Sequence, residues 1–371
     1  MKKLGFGFMR LPTLAENDPT SIDMDQARRM VDLFMQRGFT YFDTAYPYHL
    51  GASERALGEL LVARYPRESF TIADKLPMYD LPPAEKLEPI FQEQLERLGV
   101  DYFDYYLLHN LHGEAYDNAV DTGAFELVAR KKREGKIRHI GFSIHDDAQQ
   151  IERILTEHPE MEFVQIQLNY VDWENQGIQA RKCYEVCRKY HRPVFVMEPV
   201  KGGTLCNLPE EAAAILRRAN PEASLASWAI RFAADLPGVQ VVLSGMSTLA
   251  QVEENTAFMD DFKPLTPAER AAVGQVVDLI NASIAVPCSG CGYCLKDCPQ
   301  GIPIPTYFAL YNAHQQDTKG GYRSQVDYYG GLASRANPAG ACVKCGKCEA
   351  VCPQHLKIRD HLAEVSRAFD A

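Results

Sequence analysis

Short apolar runs alternate along most of the chain with longer stretches in which apolar residues recur every three or four positions. The short runs have the length of buried strands, and the longer stretches have the spacing of amphipathic helices. The eight predicted strands are Leu4–Met9, Thr40–Asp43, Phe70–Asp74, Asp104–Leu108, Ile137–Ser143, Phe163–Leu168, Val194–Met197 and Gln240–Ser244. Because strands that alternate with helices pair in parallel, the pattern predicts an α/β fold.

Eight strand–helix units within about 250 residues favour a closed (β/α)8 TIM barrel over an open sheet. A dinucleotide-binding open sheet is disfavoured because no Gly-x-Gly-x-x-Gly segment follows the first strand. After the eighth strand, valines and isoleucines at helical spacing predict a helix over 267–284. Such a helix is long enough to return the chain to the C-terminal ends of the strands, so the residues after it are expected at the barrel mouth. We expect three parts: a barrel over 1–265, a connecting helix over 266–286, and a small, mainly helical domain over 287–371.

The last part carries two regular arrays of cysteines. The first array is Cys288, Cys291, Cys294 and Cys298, followed by Pro299, and the second is Cys342, Cys345, Cys348 and Cys352, followed by Pro353. Three cysteines at two-residue intervals can hold three corners of a cubane, and a fourth before a proline points elsewhere. Structural zinc usually takes paired cysteine knuckles, and disulfides belong to exported chains, so both are weaker alternatives. The spacing predicts two [4Fe–4S] clusters.

This part resembles bacterial-type dicluster ferredoxin modules, in which the fourth cysteine ligates the other cluster. The resemblance assigns one cluster to Cys288, Cys291, Cys294 and Cys352, and the second to Cys342, Cys345, Cys348 and Cys298. The 43 residues between the two arrays are longer than in compact ferredoxins. They contain a predicted helix over 305–316 and a loose Gly- and Tyr-rich stretch over 320–331. The remaining cysteines differ, since Cys183 and Cys187 fit the buried face of a helix.

Charge and hydropathy limit the possible partners and the compartment. Residues 1–265 carry 29 Lys and Arg against 40 Asp and Glu, which excludes the basic face that nucleic-acid binding requires. No apolar run approaches the roughly 18 residues of a membrane-spanning helix. The N-terminal apolar stretch, which stops before Arg10, is too short for a secretory signal. We therefore expect a cytoplasmic protein with reduced cysteines and no nucleic-acid or membrane partner.

Four ionisable residues lie at or just after the C-terminal ends of predicted strands, where barrels carry their chemistry. They are Asp43, Tyr48, Lys75 and His109. Each alone is typical of a solvated or packed loop residue. Together they provide an acid catalyst, because a Lys ammonium lowers the pKa of a nearby Tyr and an Asp anchors the Lys. A neutral His would hold the substrate oxygen.

The surrounding sequence resembles the aldo-keto reductase family. The matching segments are Phe-Asp-Thr-Ala-Tyr-Pro-Tyr (42–48), Ser-Glu-Arg-Ala-Leu-Gly (53–58), Asp-Lys-Leu (74–76) and Tyr-Leu-Leu-His (106–109). The resemblance covers roughly residues 1–285. It implies that Tyr48 donates the proton, that Lys75 tunes its pKa, and that Asp43 and His109 support them. It further implies hydride transfer from NADP or NAD to a small-molecule carbonyl, or the reverse oxidation of an alcohol.

The resemblance also implies a set of nicotinamide-binding residues. Ser143 and Gln165 would hold the carboxamide, and Gly202 and Gly203 would approach the pyrophosphate. The adenosine half would be held by Gly245, Ser247, Gln251, Glu254 and Asn255. An ordinary strand–helix turn with Ser247 as the helix N-cap is the alternative. The choice between NADP and NAD stays open, because this loop has no Arg or Lys between 238 and 261 to pair with a 2′-phosphate.

Electron counting leaves more than one hypothesis. A nicotinamide transfers two electrons as hydride, whereas each cluster accepts one electron at a time. The clusters therefore serve a one-electron redox partner, exchange with the nicotinamide through a bound flavin, or are structural. The leading hypothesis is an oxidoreductase acting on a carbonyl or alcohol. The alternatives are an electron-transfer or sensor subunit with an unproductive barrel, and a flavin-dependent enzyme. Loop aromatics that predict the substrate lining are Tyr46, His49, His112, Tyr116 and Trp173.

Overall fold

The computed structural model describes residues 2–282, 284–316 and 323–370. Eight parallel strands form a closed barrel in which each strand pairs with the next and the last pairs with the first. The strands are β1 Leu4–Gly7, β2 Tyr41–Asp43, β3 Thr71–Pro77, β4 Phe103–His109, β5 Ile137–Ile144, β6 Phe163–Gln167, β7 Val194–Met197 and β8 Val239–Ser244. The predicted (β/α)8 barrel is confirmed, and all eight strands lie within a few residues of their expected positions.

Two strand ends differ from the prediction by more than one residue. Strand β1 ends at Gly7 rather than Met9, because a short 3-10 turn begins at Phe8. Strand β3 continues to Pro77, where it still pairs with His109 of β4. The predicted end of this strand at Asp74 is therefore wrong, and Lys75 lies within the strand. The backbone of Lys75 pairs with Leu107 of β4, so the position of this lysine is fixed by the sheet.

Ten helices belong to the barrel. They are α1 Met24–Gln36, α2 Ala52–Leu57, α3 Ala84–Leu98, α4 Gly113–Asp121, α5 Ala124–Arg133, α6 Ala148–Glu157, α7 Ala180–Lys189, α8 Glu210–Ala219, α9 Leu225–Ala234 and α10 Leu249–Asp260. Their apolar faces pack on the outside of the sheet, and Cys183 and Cys187 are buried there as predicted. Inside the barrel, aromatic side chains close the interior, with the ring centroids of Phe163 and Phe195 4.6 Å apart. The open cavity is thereby confined to the C-terminal ends of the strands.

The connecting helix is α11, Pro267–Ala282. It ends two residues before the predicted Ile284, and residue 283 lies outside the described residues. Its buried face, which includes Val273 and Val276, packs against α8 on the outside of the barrel. The ion pair between Glu269 and Arg231, at 2.9 Å, fixes the start of the helix to α9.

The C-terminal part is mainly helical, as predicted. Its helices are α12 Tyr293–Asp297, α13 Ile304–Gln316, α14 Gln325–Ala333, α15 Lys347–Ala350 and α16 Ile358–Phe369. Helix α13 agrees with the predicted helix over 305–316. The loose stretch expected over 320–331 is wrong for residues 325–331, which belong to α14, and its first three residues lie outside the described residues. Within the described ranges, no helix combines the length and apolar character needed to cross a membrane.

Candidate active site

A buried ion pair lies at the centre of the barrel mouth. Lys75 Nζ lies 2.6 Å from Asp43 Oδ1 and donates a second hydrogen bond of 2.6 Å to the backbone carbonyl of Thr44. Both side chains are almost fully buried. Burial opposes the ammonium, but the charges of Asp43 and Tyr48 outweigh it and hold the pKa of Lys75 above its usual value. Removing one partner of such a pair leaves a buried charge, at a cost of about 3–5 kcal/mol.

Tyr48 lies in a short helical turn after β2, where the chain reverses over the ion pair. Lys75 Nζ is 5.0 Å from the centre of its ring, and the ring meets that of His109 edge-on at 6.1 Å. Burial raises the pKa of Tyr48 more than the charge and hydrogen bond of Lys75 lower it, so the net pKa lies above its usual value. Lys75 lowers the pKa of Tyr48, as expected, but the expectation of a net pKa below the usual value is wrong because burial has the larger effect.

His109 ends strand β4 and stands between two tyrosine rings, Tyr48 and Tyr79, the second at 5.2 Å. Burial, followed by the positive charge of Lys75, holds the pKa of His109 well below its usual value. The imidazole is therefore neutral at physiological pH, as the sequence predicts. Its Nδ1 atom is buried and has no hydrogen-bond partner within the described residues. A neutral imidazole in this position can donate to, or accept from, a ligand oxygen.

A second buried ion pair lies behind this site and supports the strand that carries Lys75. Glu54, from the 53–58 segment, is fully buried and lies 2.7 Å from Arg97 of α3. Gln94 of the same helix donates 3.0 Å hydrogen bonds to Glu54 and to the backbone carbonyl of Lys75. The segment after Tyr48 therefore anchors the strand that carries Lys75, which explains why the charged side chain of Glu54 is buried.

These residues open into one cavity of about 850 Å³ at the barrel mouth. Its lining contains Asp43, Tyr48 and His109 together with eight of the nine predicted cofactor residues: Gln165, Gly202, Gly203, Gly245, Ser247, Gln251, Glu254 and Asn255. Ser143 is not part of this lining, since it is buried behind Asn110 and accepts a 2.9 Å hydrogen bond from the Asn110 amide. The volume lies in the range of sites that enclose a cofactor-sized ligand.

One buried polar atom in the cavity has the character of a nicotinamide partner. Gln165 is 2% exposed, and its Oε1 has no hydrogen-bond partner among the described residues. A buried acceptor without a partner is costly, and the N–H of a carboxamide would satisfy it. Gly202 and Gly203 have φ angles of 63° and 101°, which lets the backbone turn close to the cavity. These features fit a nicotinamide cofactor.

The loop after β8 lines the cavity and leads into helix α10. Thr248, not Ser247, is the N-cap, and it forms a capping box with Gln251. The alternative that Ser247 caps the helix is therefore wrong. Ser247 instead donates a 2.6 Å hydrogen bond to the backbone carbonyl of Arg10, and Asn255 donates to Ser244 Oγ at 3.0 Å. The loop is thereby tied to the end of β1.

Arg10 is a cation in the cofactor part of the cavity that the sequence analysis missed. It follows β1 and lines the same cavity as the loop after β8. Its aliphatic carbons lie over Gly245, where an added Cβ would be in contact at 3.4–3.5 Å. The absence of a side chain at Gly245 therefore leaves room for Arg10. Only the packing of β1 against β8 brings these two positions together, so no local signal indicated it.

The eight cysteines of the two arrays surround two small cavities in the C-terminal part. One is lined by Cys288, Cys291, Cys294 and Cys352, and the other by Cys298, Cys342, Cys345 and Cys348. Each cavity thus combines three cysteines of one array with the fourth of the other array. Within the described residues, no three His, Cys, Asp or Glu side chains are placed to hold a single metal ion. Four thiols around a cavity fit a cluster with several iron atoms.

Both arrays use the same backbone turn. Gly292 and Gly346 follow the second cysteine of each array, and each has a φ of 77°. This left-handed conformation favours glycine, and here it precedes a short helix that carries the third cysteine. Two copies of one turn, facing each other through α12 and α15, produce the exchange of the fourth cysteines.

Comparison with known proteins decides the family. Residues 3–278 match the family model described as Aldo/keto reductase family. The chain belongs to the aldo/keto reductase family. Residues 287–356 match a second family model, described as 4Fe-4S dicluster domain. The barrel and the cysteine arrays therefore make this aldo/keto reductase a fusion with an iron–sulfur domain.

Relatives align with the barrel of this aldo/keto reductase. Probable aldo-keto reductase 1 of Glycine max is 34% identical over 156 residues, which is 38% of this chain and only 41% of the relative's own length. L-galactose dehydrogenase of Arabidopsis thaliana is 27% identical over 263 residues, or 65% of this chain and 80% of the relative. Among solved structures, an aldo-keto reductase from Klebsiella pneumoniae in complex with NADPH has a TM-score of 0.58 at 21% identity, covering 74% of this chain and 90% of that one.

The substrate lining of this aldo/keto reductase differs from the predicted one. Of the five loop aromatics expected there, His49 lines the cavity. Tyr46 instead bonds Glu93 at 3.0 Å, and Trp173 lies in a separate groove beside α11. The cavity wall that the prediction lacked comes from the C-terminal domain, through Asp327. The sequence places Asp327 more than two hundred residues from the catalytic positions, so only the tertiary structure reveals it.

Proposed function

We propose that the barrel reduces a small-molecule carbonyl with NADPH or NADH, and oxidises the corresponding alcohol in reverse. The observation that supports this most is the convergence of Asp43, Lys75, Tyr48 and His109 on one cavity whose lining fits a nicotinamide. The test is an assay of nicotinamide oxidation against a panel of aldehydes and ketones, using anaerobically purified protein. Cofactor binding without any turnover would instead favour the sensor or electron-transfer hypothesis.

The cofactor would supply hydride to the carbonyl carbon when bound, with Gln165 holding its carboxamide and Gly202 and Gly203 near its phosphates. The remaining steps belong to side chains. His109 orients the carbonyl oxygen through a neutral ring nitrogen, and Tyr48 donates its hydroxyl proton to that oxygen as negative charge develops. Lys75, fixed by Asp43, stabilises the tyrosinate that remains. Hydride would bring two electrons and one hydrogen nucleus to the carbonyl carbon, and Tyr48 gives the second proton to the oxygen, so the step to the alcohol balances.

The raised pKa of Tyr48 and the lowered pKa of His109 predict the pH dependence of this reaction. Tyr48 must be protonated to act as the acid, and burial, which raises its pKa above the usual value, keeps it protonated where an exposed tyrosine begins to ionise. His109 must be neutral, and its lowered pKa keeps it neutral from about pH 6.5 upwards. We therefore expect kcat for reduction to change less than about threefold between pH 6.5 and 9.5. A stopped-flow profile with a midpoint inside that window would contradict the assignment.

We propose NADP(H) as the preferred nicotinamide, with Arg10 as the cation that pairs with its 2′-phosphate. The support is the position of Arg10 over Gly245, beside a loop that has no cation of its own. Doubly charged phosphate groups are bound through guanidinium groups. The finding that a fold relative was solved with NADPH is compatible with this choice.

Arg10→Met keeps the aliphatic packing over Gly245 and removes the charge. We expect it to raise the Kd for NADPH at least tenfold and to change the Kd for NADH less than threefold, measured by titration of nicotinamide fluorescence. The selective loss follows because only NADPH carries the extra phosphate. The control is Arg55→Met, an exposed arginine that is not part of the cavity lining. An equal loss for both nicotinamides would assign Arg10 to the pyrophosphate that the two share.

We propose that the C-terminal domain holds two [4Fe–4S] clusters with exchanged fourth ligands, and that the clusters pass single electrons to an external redox partner. The two cysteine cavities support the ligand sets, since each contains three cysteines of one array and one of the other. An anaerobic titration with NADPH, followed by cluster absorbance and EPR, tests the electron path. If NADPH reduces the clusters, a mediator such as a flavin must connect the two parts. If the clusters stay oxidised, hydride transfer in the barrel is independent of electron transfer through the clusters.

A further inference from the structure

Helix α14 of the C-terminal domain lies against the C-terminal ends of β4, β5 and β6. Several side-chain contacts connect the two parts here. They include Asn110 Nδ2 with Asp327 Oδ2 at 2.9 Å, Gln167 Oε1 with Ser324 Oγ at 2.7 Å, both oxygens of Asp146 with Arg335 at 2.6 Å, and the ring of His145 with that of Tyr328 at 5.6 Å. The expectation that the C-terminal domain lies at the barrel mouth is thereby confirmed. The domain forms a wall of the catalytic cavity, and the barrel loops alone do not enclose it.

The backbones of the two parts approach unusually closely at this wall. An added Cβ on Gly331 of α14 would lie 2.9 Å from Asp146 Oδ2, and one on Gly113 of α4 would lie 3.0 Å from the Cα of Gly331. Neither position leaves room for a side chain. The glycines therefore let α14 pack directly on the loop that follows β4. This packing holds Asp327, one helical turn before Gly331, against the strand ends, where it accepts the hydrogen bond from Asn110.

Asp327 lines the same cavity as Tyr48, His109 and Tyr79. Its carboxylate accepts a hydrogen bond from Asn110, the residue directly after the catalytic His109. Burial lowers the pKa of the adjacent His145 to about 4, so that ring is neutral. Burial is also the main cause of the raised pKa of Tyr79, to which the charge of Asp327 contributes. Asp327 thus presents negative charge and acceptor oxygens to the part of the cavity next to the reacting carbonyl.

The other charges of the cavity lie elsewhere. The charged side chains that line it within the described ranges are Arg10, Asp43, Glu198, Glu254 and Asp327. Arg10 and Glu254 belong to the cofactor end, and Asp43 is paired with Lys75. The cation near His109 is Lys75, which is buried, paired with Asp43 and not part of the lining. An anionic substrate at this end would therefore face the carboxylate of Asp327 with no cation in the described lining to offset it, whereas a hydroxyl group would find an acceptor. Of the side chains that accept a hydrogen bond from a hydroxyl group, an ionised carboxylate forms the strongest one.

We propose that Asp327 is a substrate-binding residue supplied by the iron–sulfur domain, and that it selects uncharged carbonyl compounds with a hydroxyl group near the carbonyl, such as hydroxyaldehydes and sugars. The inference rests on the proposed carbonyl reduction and adds the substrate class. Asp327 accepts the hydrogen bond of that hydroxyl and repels carboxylated carbonyl compounds. Specificity then depends on a residue outside the barrel.

The test compares three small aldehydes in the full-length protein: glyceraldehyde, propionaldehyde, which lacks hydroxyls, and glyoxylate, which is anionic. The variant is Asp327→Asn, which keeps the size of the side chain and an acceptor for Asn110. We expect kcat/KM for glyceraldehyde to fall at least tenfold and that for glyoxylate to rise at least threefold, with propionaldehyde nearly unchanged. Val326→Ala, at an exposed position on the same helix, is the matched control.

Several outcomes separate the possible failures. Wild-type protein that reduces none of a broad panel would reject the proposed function itself. If the wild-type protein reduces aldehydes but Asp327→Asn changes kcat/KM for all three by one common factor, the inference is overturned. Asp327 would then be assigned to domain docking. Thermal unfolding, iron content and the Kd for NADPH are measured for each variant, and all three should match wild type in Asp327→Asn.

Discussion

Tyr48→Phe is expected to lower kcat for carbonyl reduction by about 10²- to 10⁴-fold, the usual contribution of a general acid. The substitution removes one hydroxyl and keeps the ring that packs on Lys75 and His109. The Kd for the nicotinamide and the iron content should therefore stay within twofold of wild type. Single-turnover kinetics under anaerobic conditions measure the chemical step directly.

The chain offers a close control for this experiment two residues earlier. Tyr46 lies in the same loop, but its hydroxyl donates to Glu93 and is not part of the cavity lining. Tyr46→Phe should keep kcat within about threefold, because an ordinary hydrogen bond of this kind contributes about 1 kcal/mol to stability. Near-normal turnover in Tyr48→Phe, or an equal loss in both variants, would remove Tyr48 as the proton donor.

The exchanged cluster ligands give the second large effect. Replacing a single cluster cysteine by Ala should lower the iron content from about eight to about four atoms per chain, because one cubane is lost. Double variants then reveal the connectivity. Cys298→Ala combined with Cys345→Ala removes two ligands of one cluster, so about four irons should remain. Cys298→Ala combined with Cys291→Ala removes one ligand from each cluster, so almost none should remain.

Iron analysis and EPR of the reduced protein distinguish the two ligand schemes. If each array held its own cluster, the two double variants would exchange results. Cys187→Ala is the control for cysteine loss as such, because Cys187 is buried among the barrel helices. It should keep all the iron, and loss of iron in it would show that general unfolding, rather than ligation, determines the content.

The barrel could be predicted because its information is local. Each strand is a compact apolar run, Asp43 and His109 are the last residues of their strands, and Tyr48 follows β2 in the next turn. The sequence did not predict that Lys75 lies inside β3, because the extension of this strand to Pro77 depends on its pairing with β4. The net pKa of Tyr48 could not be predicted either. It is the difference between burial and the charge of Lys75, and burial is known only from the packed structure.

Helix α14 shows where sequence patterns fail. Its residues include Gly330 and Gly331, and glycine in a helix costs about 1 kcal/mol relative to alanine, so the stretch indicates a loop. The helix is stabilised by contacts that lie far away in sequence, above all the ion pair of Arg335 with Asp146. Arg10 and Asp327 were missed for the same reason, since each reaches the cavity through packing between distant segments.

The close packing of α14 on the barrel also limits how this chain can be taken apart. An independent module can be cut away or exchanged without loss to its neighbour, but here the second domain contributes a wall and a carboxylate to the first domain's cavity. The barrel without residues 323–335 would expose His145 and Asp146 to water. Neither part can therefore be exchanged alone without changing the lining of this cavity, because both parts contribute side chains to it.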